Sequence, residues 1–222
     1  MDEIVREACP AKMSIADLLP TQVTAGMREV DIKRMRWRER SIANRSNYLG
    51  THRVPVVIGP GNRHYMIDRH HLTLALYAEG IAEVPVSVVG NNAGLTFEAF
   101  WTTLERRNWT HPFDDKGRRC AFETMPSSIG SLTDDPFRSL AGALKRMGGY
   151  AKDKAPFSEF RWADFLRGCC LSNFLYHVHG MHKIWSTSFS ILFKYLFWEF
   201  AFLSVHHEQL YRSGCRSSVS KQ

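Results

Sequence analysis

Residues 54–80 read VPVVIGPGNRHYMIDRHHLTLALYAEG, and this stretch decides the fold. Val54-Pro-Val-Val-Ile58 is short and β-branched, Gly59-Pro-Gly-Asn62 is a strong turn signal, and His64-Tyr-Met-Ile67 reads as a second strand. Hairpin logic sets the two strands antiparallel. Asp68 is a good N-cap for a helix from about Arg69 to Glu79, with Leu72, Ala75 and Leu76 on its inner face. Gly80 stands where a C′ glycine would stop that helix. Val84-Pro-Val-Ser-Val-Val89 follows as a third strand. Strand, turn, strand, helix and strand in so short a span predict a compact α/β core.

Toward the N-terminus, Ser14 to Leu19 reads as a short strand or extended entry stopped by Pro20, and Gly26 precedes a helix from Met27 to about Ser41. Val30, Met35, Trp37 and Ile42 supply its patchy apolar face, while Arg28, Lys33, Arg34, Arg36, Arg38 and Arg40 make the rest basic. Residues 28–53 hold eight Lys/Arg against three Asp/Glu. Either a solvated helix face or a phosphate-facing one accounts for this. Toward the C-terminus, a loop at Gly90–Gly94 leads to an aromatic helix, about Thr96 to Arg107, and then to a polar stretch. Asp135-Pro136 opens a further helix, which runs through Leu140 and Leu144 to Gly148-Gly149. A short helix, Ser158 to Arg167, carries Phe160, Trp162 and Phe165. The expected fold is α/β (α+β), a small mixed sheet with helices plus an appended helical subdomain. Residues 12–92 form the core, 93–168 the helical part of the same domain, and 169–222 an aromatic-rich tail.

Composition bounds the function. At 222 residues and 44% hydrophobic, the chain is too apolar to be disordered. Its formal charge of +7 suits phosphate-bearing partners without demonstrating one. Five scattered cysteines without metal-ligand spacing read as reduced thiols of a cytoplasmic protein. The opening residues, MDEIVREACP, lack the apolar run of a secretory signal. Ile191 to Leu203 is too short for a membrane span and contains Lys194 and Glu199. Residues 171–222 hold 11 of the 27 aromatics, as a hydrophobic terminal helix or a chain end of separate origin would. His177, His179 and His182 have imidazole spacing suited to zinc or nickel, but no nearby acid or CxxC supports a metal site.

The strongest functional candidate is the strand-to-helix junction at Asp68-Arg69-His70-His71-Leu72-Thr73. A helix N-terminus offers unpaired N–H groups and a positive dipole end, which suit phosphate. Arg69 and the Thr73 hydroxyl are suited to phosphate oxygens, and either histidine to hydrogen bonding or proton transfer. Asp68 is suited to hold a divalent cation, to orient a histidine, or simply to cap the helix.

These residues, in VPVVIGPGNRHYMIDRHHLTLAL, resemble the core of the ParB/sulfiredoxin superfamily, and most closely its branch of ParB-like nucleases. That superfamily carries a phosphate-binding motif of the type D-G-H-H-R at this junction; its members include CTP-hydrolysing partition proteins, sulfiredoxins and ADP-dependent free-serine kinases. The resemblance extends to LPTQVTAGMREV (19–30), DDPFRSLAG (134–142) and PFSEFRWADFL (156–166), and so covers about residues 12–167. It implies a site with Asp68, His70 and His71 as catalytic residues, and Arg69, Thr73, Gln22 and Arg28 binding phosphate or nucleotide. Glu29, Arg138 and Asp164 would lend support, with Arg138 and Asp164 forming an ion pair or walling the pocket. The implied ligand is a nucleotide (ADP, ATP or CTP) or another phosphorylated small molecule, with Mg²⁺ at Asp68, and the implied activity is hydrolysis or phosphoryl transfer. A nuclease gripping nucleic acid with the basic Met27–Ser41 helix, and a non-catalytic nucleotide-sensing module, are the alternatives.

The sequence departs from the motif at three places. Arg69 replaces the motif glycine, and Leu72 replaces its phosphate-holding arginine. Gln22, after Pro20-Thr21, stands where the kinase relatives place a catalytic acid, and it cannot take a proton; Glu29 is the nearest acid downstream. No cysteine precedes the motif, which disfavours sulfiredoxin chemistry. No helix-turn-helix is evident for a partition protein. Oligomeric state is left open.

Overall fold

The Val54–Ile58 and His64–Met66 segments pair antiparallel, with Val56 opposite Met66 and Ile58 opposite His64, so the expected hairpin is present. A computed structural model describes residues 12–150, 157 and 159–168, all within one compact unit; the tail, with its apolar run and three histidines, lies outside the described residues.

In chain order the strands are β1 (Lys12–Ser14), β2 (Leu18–Pro20), β3 (Thr24–Ala25), β4 (Val54–Ile58), β5 (His64–Met66), β6 (Glu83–Asn91) and β7 (Thr133–Asp134). The helices are α1 (Met27–Arg38), α2 (Ile42–Thr51), α3 (His70–Ala78), α4 (Phe97–Arg106) and α5 (Pro136–Arg146), followed by α6 (159–168). The main sheet runs β1-β6-β4-β5-β2, and β3 and β7 make a separate parallel pair. The sheet is mixed: β4 is parallel to β6 and antiparallel to β5, while β2 is parallel to β5. This is the expected α+β class.

Two local expectations change. Ser14 to Leu19 is not one strand, because the Ser14 hydroxyl accepts from the Ala16 N–H and caps a 3-10 turn at Ile15–Asp17. The two halves then pair at opposite edges of the sheet. Pro20 stops the segment as expected, as the last residue of β2, an edge strand where a missing N–H goes unneeded. The basic helix ends at Arg38, and Ser41 caps a second helix, α2, by accepting from Asn44 N–H. α2 has no fully buried residue, and only Tyr48 and Leu49 pack partly on the core, too few to mark an apolar period. Of the expected apolar face only Val30 and Trp37 are buried; Met35 and Ile42 are exposed.

The sheet packs on α3 through Val54, Val56, Met66, Leu72, Leu74 and Leu76. An aromatic cluster of Tyr65, Phe100 and Trp101 holds α4 near the hairpin. Gly59 is needed there, since a Cβ would lie 2.6 Å from the Tyr65 ring and 2.8 Å from Phe100. The β3–β7 pair brings the start of α1 beside α5, and this contact builds the site. Among the described residues no helix is long and apolar enough to cross a membrane.

Candidate functional site

The β5–α3 junction differs from its sequence reading by one residue. The helix begins at His70, and its N-cap is Arg69, held in the left-handed region at φ 66°, ψ 22° without a side-chain cap. Asp68 stands one residue earlier, exposed, and its Oδ1 accepts from the Arg69 N–H at 2.6 Å. Arginine at this φ costs about 1–2 kcal/mol relative to glycine. This is the position where the resemblance expects glycine, the residue that adopts such a φ without that cost.

The two histidines clamp the preceding segment. His70 is buried; its Nε2 accepts from the Thr21 N–H at 3.2 Å, and it also hydrogen-bonds the Met66 backbone. Thr21 is tied further by donating its hydroxyl to Met66 O and by accepting at its carbonyl from Thr110 Oγ1, each at 2.8 Å. The His71 Nε2 accepts from the Gly26 N–H at 3.0 Å. An accepting Nε2 leaves the proton of a neutral imidazole on Nδ1. Burial pushes His70 down to about 3. It also holds His71 well below the ordinary range, helped by the positive charges of Arg138 and Lys33. Both rings are therefore neutral at pH 7.

His71 forms one wall of a cleft of about 460 Å³, within the roughly 300–1,000 Å³ usual for small-molecule sites. α1 contributes Glu29, Lys33 and Arg36; α5 contributes Arg138, Gly142, Lys145 and Arg146; Tyr150 and Glu159 complete the lining. The Glu159 carboxylate pairs with both Arg138 Nη2 and Lys145 Nζ, and Glu29 pairs with Arg146. Burial acts to raise Glu159, but Arg138 and Lys145 outweigh it and hold the carboxyl below its usual range. Burial depresses Lys33, with Arg36 and Arg69 adding to the effect against the pull of Glu29 and Glu159.

Arg138 is the most informative group. It is 6% exposed, its guanidinium lies 5.1 Å from the Phe160 ring centre, and its Nε and Nη1 have no hydrogen-bond partner among the described residues. Each buried donor left unmatched costs about 1–3 kcal/mol. Such a group in a cleft has the chemistry of an anion receptor.

A family model described as "Putative ParB-like nuclease" matches residues 11–168. The chain belongs to the ParB-like nuclease family. It is similar to a solved structure, protein Atu1540 from Agrobacterium tumefaciens, at 48% identity and a TM-score of 0.68, over 74% of this chain and 81% of that one. None of the curated proteins matches the chain.

Of the residues named from sequence, this ParB-like protein brings His71, Glu29 and Arg138 together at the cleft. The others lie outside its lining. His70 and Thr73 are buried, and the Thr73 hydroxyl donates to Arg69 O at 3.1 Å. Gln22 is buried, with its Nε2 donating to Thr24 O at 2.7 Å. Arg28 is half-buried beside Asp134 and Asp31, and its N–H donates to Ser139 Oγ at 3.3 Å. Arg138 and Asp164 are not partners: Arg138 takes Glu159, and the exposed Asp164 takes Arg167.

Lys33, Arg36, Lys145, Arg146, Tyr150 and Glu159 were not singled out for the site from sequence. A signal was present for Lys33, Arg36 and Lys145 only. Glu29-Lys33-Arg36 and Arg138-Gly142-Lys145 both follow i, i+4, i+7 spacing, which puts each trio on one helical face. Among the described residues no group of three or more His, Cys, Asp or Glu is placed to hold a metal.

Proposed function

We propose that this ParB-like protein binds a phosphate-bearing small molecule, of the nucleotide class, in the cleft between α1 and α5. The observation that carries the reading is Arg138, buried with two unmatched guanidinium nitrogens in a cleft that Lys33 and Arg36 also line. Phosphate supplies the acceptors that Arg138 lacks and the charge that the two other cations call for. ADP, ATP and CTP are the ligands to test. The residues present do not fit a Mg²⁺ site: Asp68 lies outside the cleft lining, and among the described residues no cluster of acids or histidines could hold the ion. Hydrolysis or phosphoryl transfer in the cleft would rest on positioning and on charge neutralisation by its own cations. His70 and His71 serve in this reading by holding the Thr21 and Gly26 backbone, and so the position of α1.

Calorimetric titration of the full chain with each nucleotide, with and without Mg²⁺, tests the proposal. Binding is expected, with a loss of tenfold or more in Arg138→Ala. A folded sample that binds none of the three overturns it. Product formation in the same samples separates an enzyme from a sensing module.

Nuclease action is the second reading, favoured by the family and by the arginines at the α1–α2 corner, which cover the buried Trp37 and the half-buried Tyr48. There Arg40 lies 4.0 Å from the Tyr48 ring centre and Arg45 5.2 Å from that of Trp37. Oligonucleotide cleavage that Asp68→Ala abolishes would support it; cleavage surviving that change would point to a contaminant.

A further inference from the structure

We infer that Glu159 and Glu29 are built-in counter-anions, which occupy the cleft's cations in the ligand-free protein and are displaced by the ligand. This rests on the phosphate reading of the cleft and adds its regulation.

Each ion pair spans two walls of the cleft. Glu159 of α6 reaches Arg138 and Lys145 of α5, and Glu29 of α1 reaches Arg146 of α5. A carboxylate present only to neutralise a buried arginine is expected to come with acceptors for the remaining guanidinium N–H groups. Here Glu159 takes Nη2 alone, and solvent does not reach the unmatched Nε and Nη1. Arg138 is thus closed off while its other donors wait. The two cations outweigh burial and keep Glu159 ionised, so it acts as an anion in the site.

Glu29 has been given room at a cost to the helix that receives it. A Cβ on Gly142 would lie 2.4 Å from Glu29 Oε1, and glycine inside a helix is unfavourable relative to alanine. Lys33 and Arg36 line the same cleft, and among the described residues neither has an ion-pair partner. A multivalent anion can therefore land on Lys33 and Arg36 first, then replace Glu159 on Arg138, whose carboxylate turns outward. A monovalent anion gains too little to make the exchange. The cleft selects for ligand charge.

The test is calorimetric titration of the full chain with inorganic pyrophosphate and with chloride as the monovalent control. Arg138→Ala and Glu159→Gln are compared with the native protein. Glu159→Gln is expected to bind pyrophosphate about tenfold more tightly, as removal of a competing charge predicts, and Arg138→Ala to bind it weakly. Glu29→Gln provides a second variant, with a smaller gain, in case Glu159→Gln does not fold. If the native protein binds pyrophosphate and neither glutamine variant binds more tightly, the carboxylates merely position the cations and the counter-anion proposal fails, while the phosphate cleft stands. If no form binds pyrophosphate, both fail together.

Discussion

The backbone N–H of Gly26 donates to His71 Nε2 at 3.0 Å, across 45 residues of sequence. With the parallel bond from Thr21 N–H to His70, it makes α3 the post to which the start of α1 is tied. Gly26 is also the N-cap of α1, so this bond fixes where Glu29, Lys33 and Arg36 stand. Replacing His71 with Ala removes the acceptor and leaves the Gly26 N–H without that partner. A loss of about 1–3 kcal/mol is expected in urea denaturation, together with weaker pyrophosphate binding. Unchanged stability would show that the Gly26 N–H finds another partner.

Acid should destabilise the fold well before carboxylates titrate. His70 has a folded-state value of about 3 against an ordinary 6.5, because burial disfavours its charged form. The unfolded chain therefore binds the proton first as pH falls. The stability from neutral His70 is complete above pH 6.5 and is lost progressively down toward pH 3. From pH 7.5 to pH 5 the loss from His70 alone is about 2 kcal/mol. His111, held at about 4 by burial and by Arg138 and Arg167, acts in the same direction. Melting temperature measured across this range should fall steadily, and the fall should be shallower in His70→Gln. A flat profile would show that His70 is not neutral in the fold.

Arg69 carries a left-handed backbone that glycine adopts freely. Arg69→Gly should raise stability by up to about 1 kcal/mol, the steric relief being partly offset by the greater freedom of the unfolded chain. Thermal unfolding at neutral pH checks this, and a lowered melting temperature would mean that the Arg69 side chain contributes more than its backbone costs.

Two glycines at the α1–α5 contact should respond differently to alanine. At Gly26 a Cβ would lie 2.8 Å from the Ser139 backbone nitrogen, which is not free to move; about 1–3 kcal/mol of destabilisation is expected. At Gly142 it would meet the end of the flexible Glu29 side chain, so stability should change by less than about 1 kcal/mol while Glu29 is pushed off Arg146. Gly142→Ala should then tighten pyrophosphate binding as Glu29→Gln does. Comparison of unfolding curves and titrations for the two variants separates these outcomes.

The buried pair of Asp135 and Arg167, 2.8 Å apart, joins the N-cap of α5 to α6. Asp135 also caps α5 by accepting from the Phe137 and Arg138 N–H groups. Burial raises the Asp135 carboxyl above its usual value in spite of Arg167, so the carboxylate depends on its partner. Arg167→Ala should cost about 3–5 kcal/mol, as removing one member of a buried pair usually does. A change below about 1 kcal/mol on denaturation would show that solvent reaches Asp135.

The hairpin, the helix after Asp68 and the strand at Val84 were legible because turn glycines, caps and apolar periods act over a few residues. The Asp135-Pro136 helix start was legible for the same reason. α2 was not, since it packs on the core only through the half-buried Tyr48 and Leu49, and the break within Ser14–Leu19 depends on pairing at both edges of the sheet. At the candidate site, sequence alone pointed to the junction, to His71 and, through the resemblance, to Arg138 and Glu29. Only the tertiary structure decided what those groups do. It turned the histidines toward the Thr21 and Gly26 backbone, and it gave Arg138 to Glu159 rather than Asp164. The reason is physical. Which charges meet across a cleft depends on how β3–β7 pairing and α6 packing set helix against helix, and residues 29, 138 and 159 carry no local mark of that encounter.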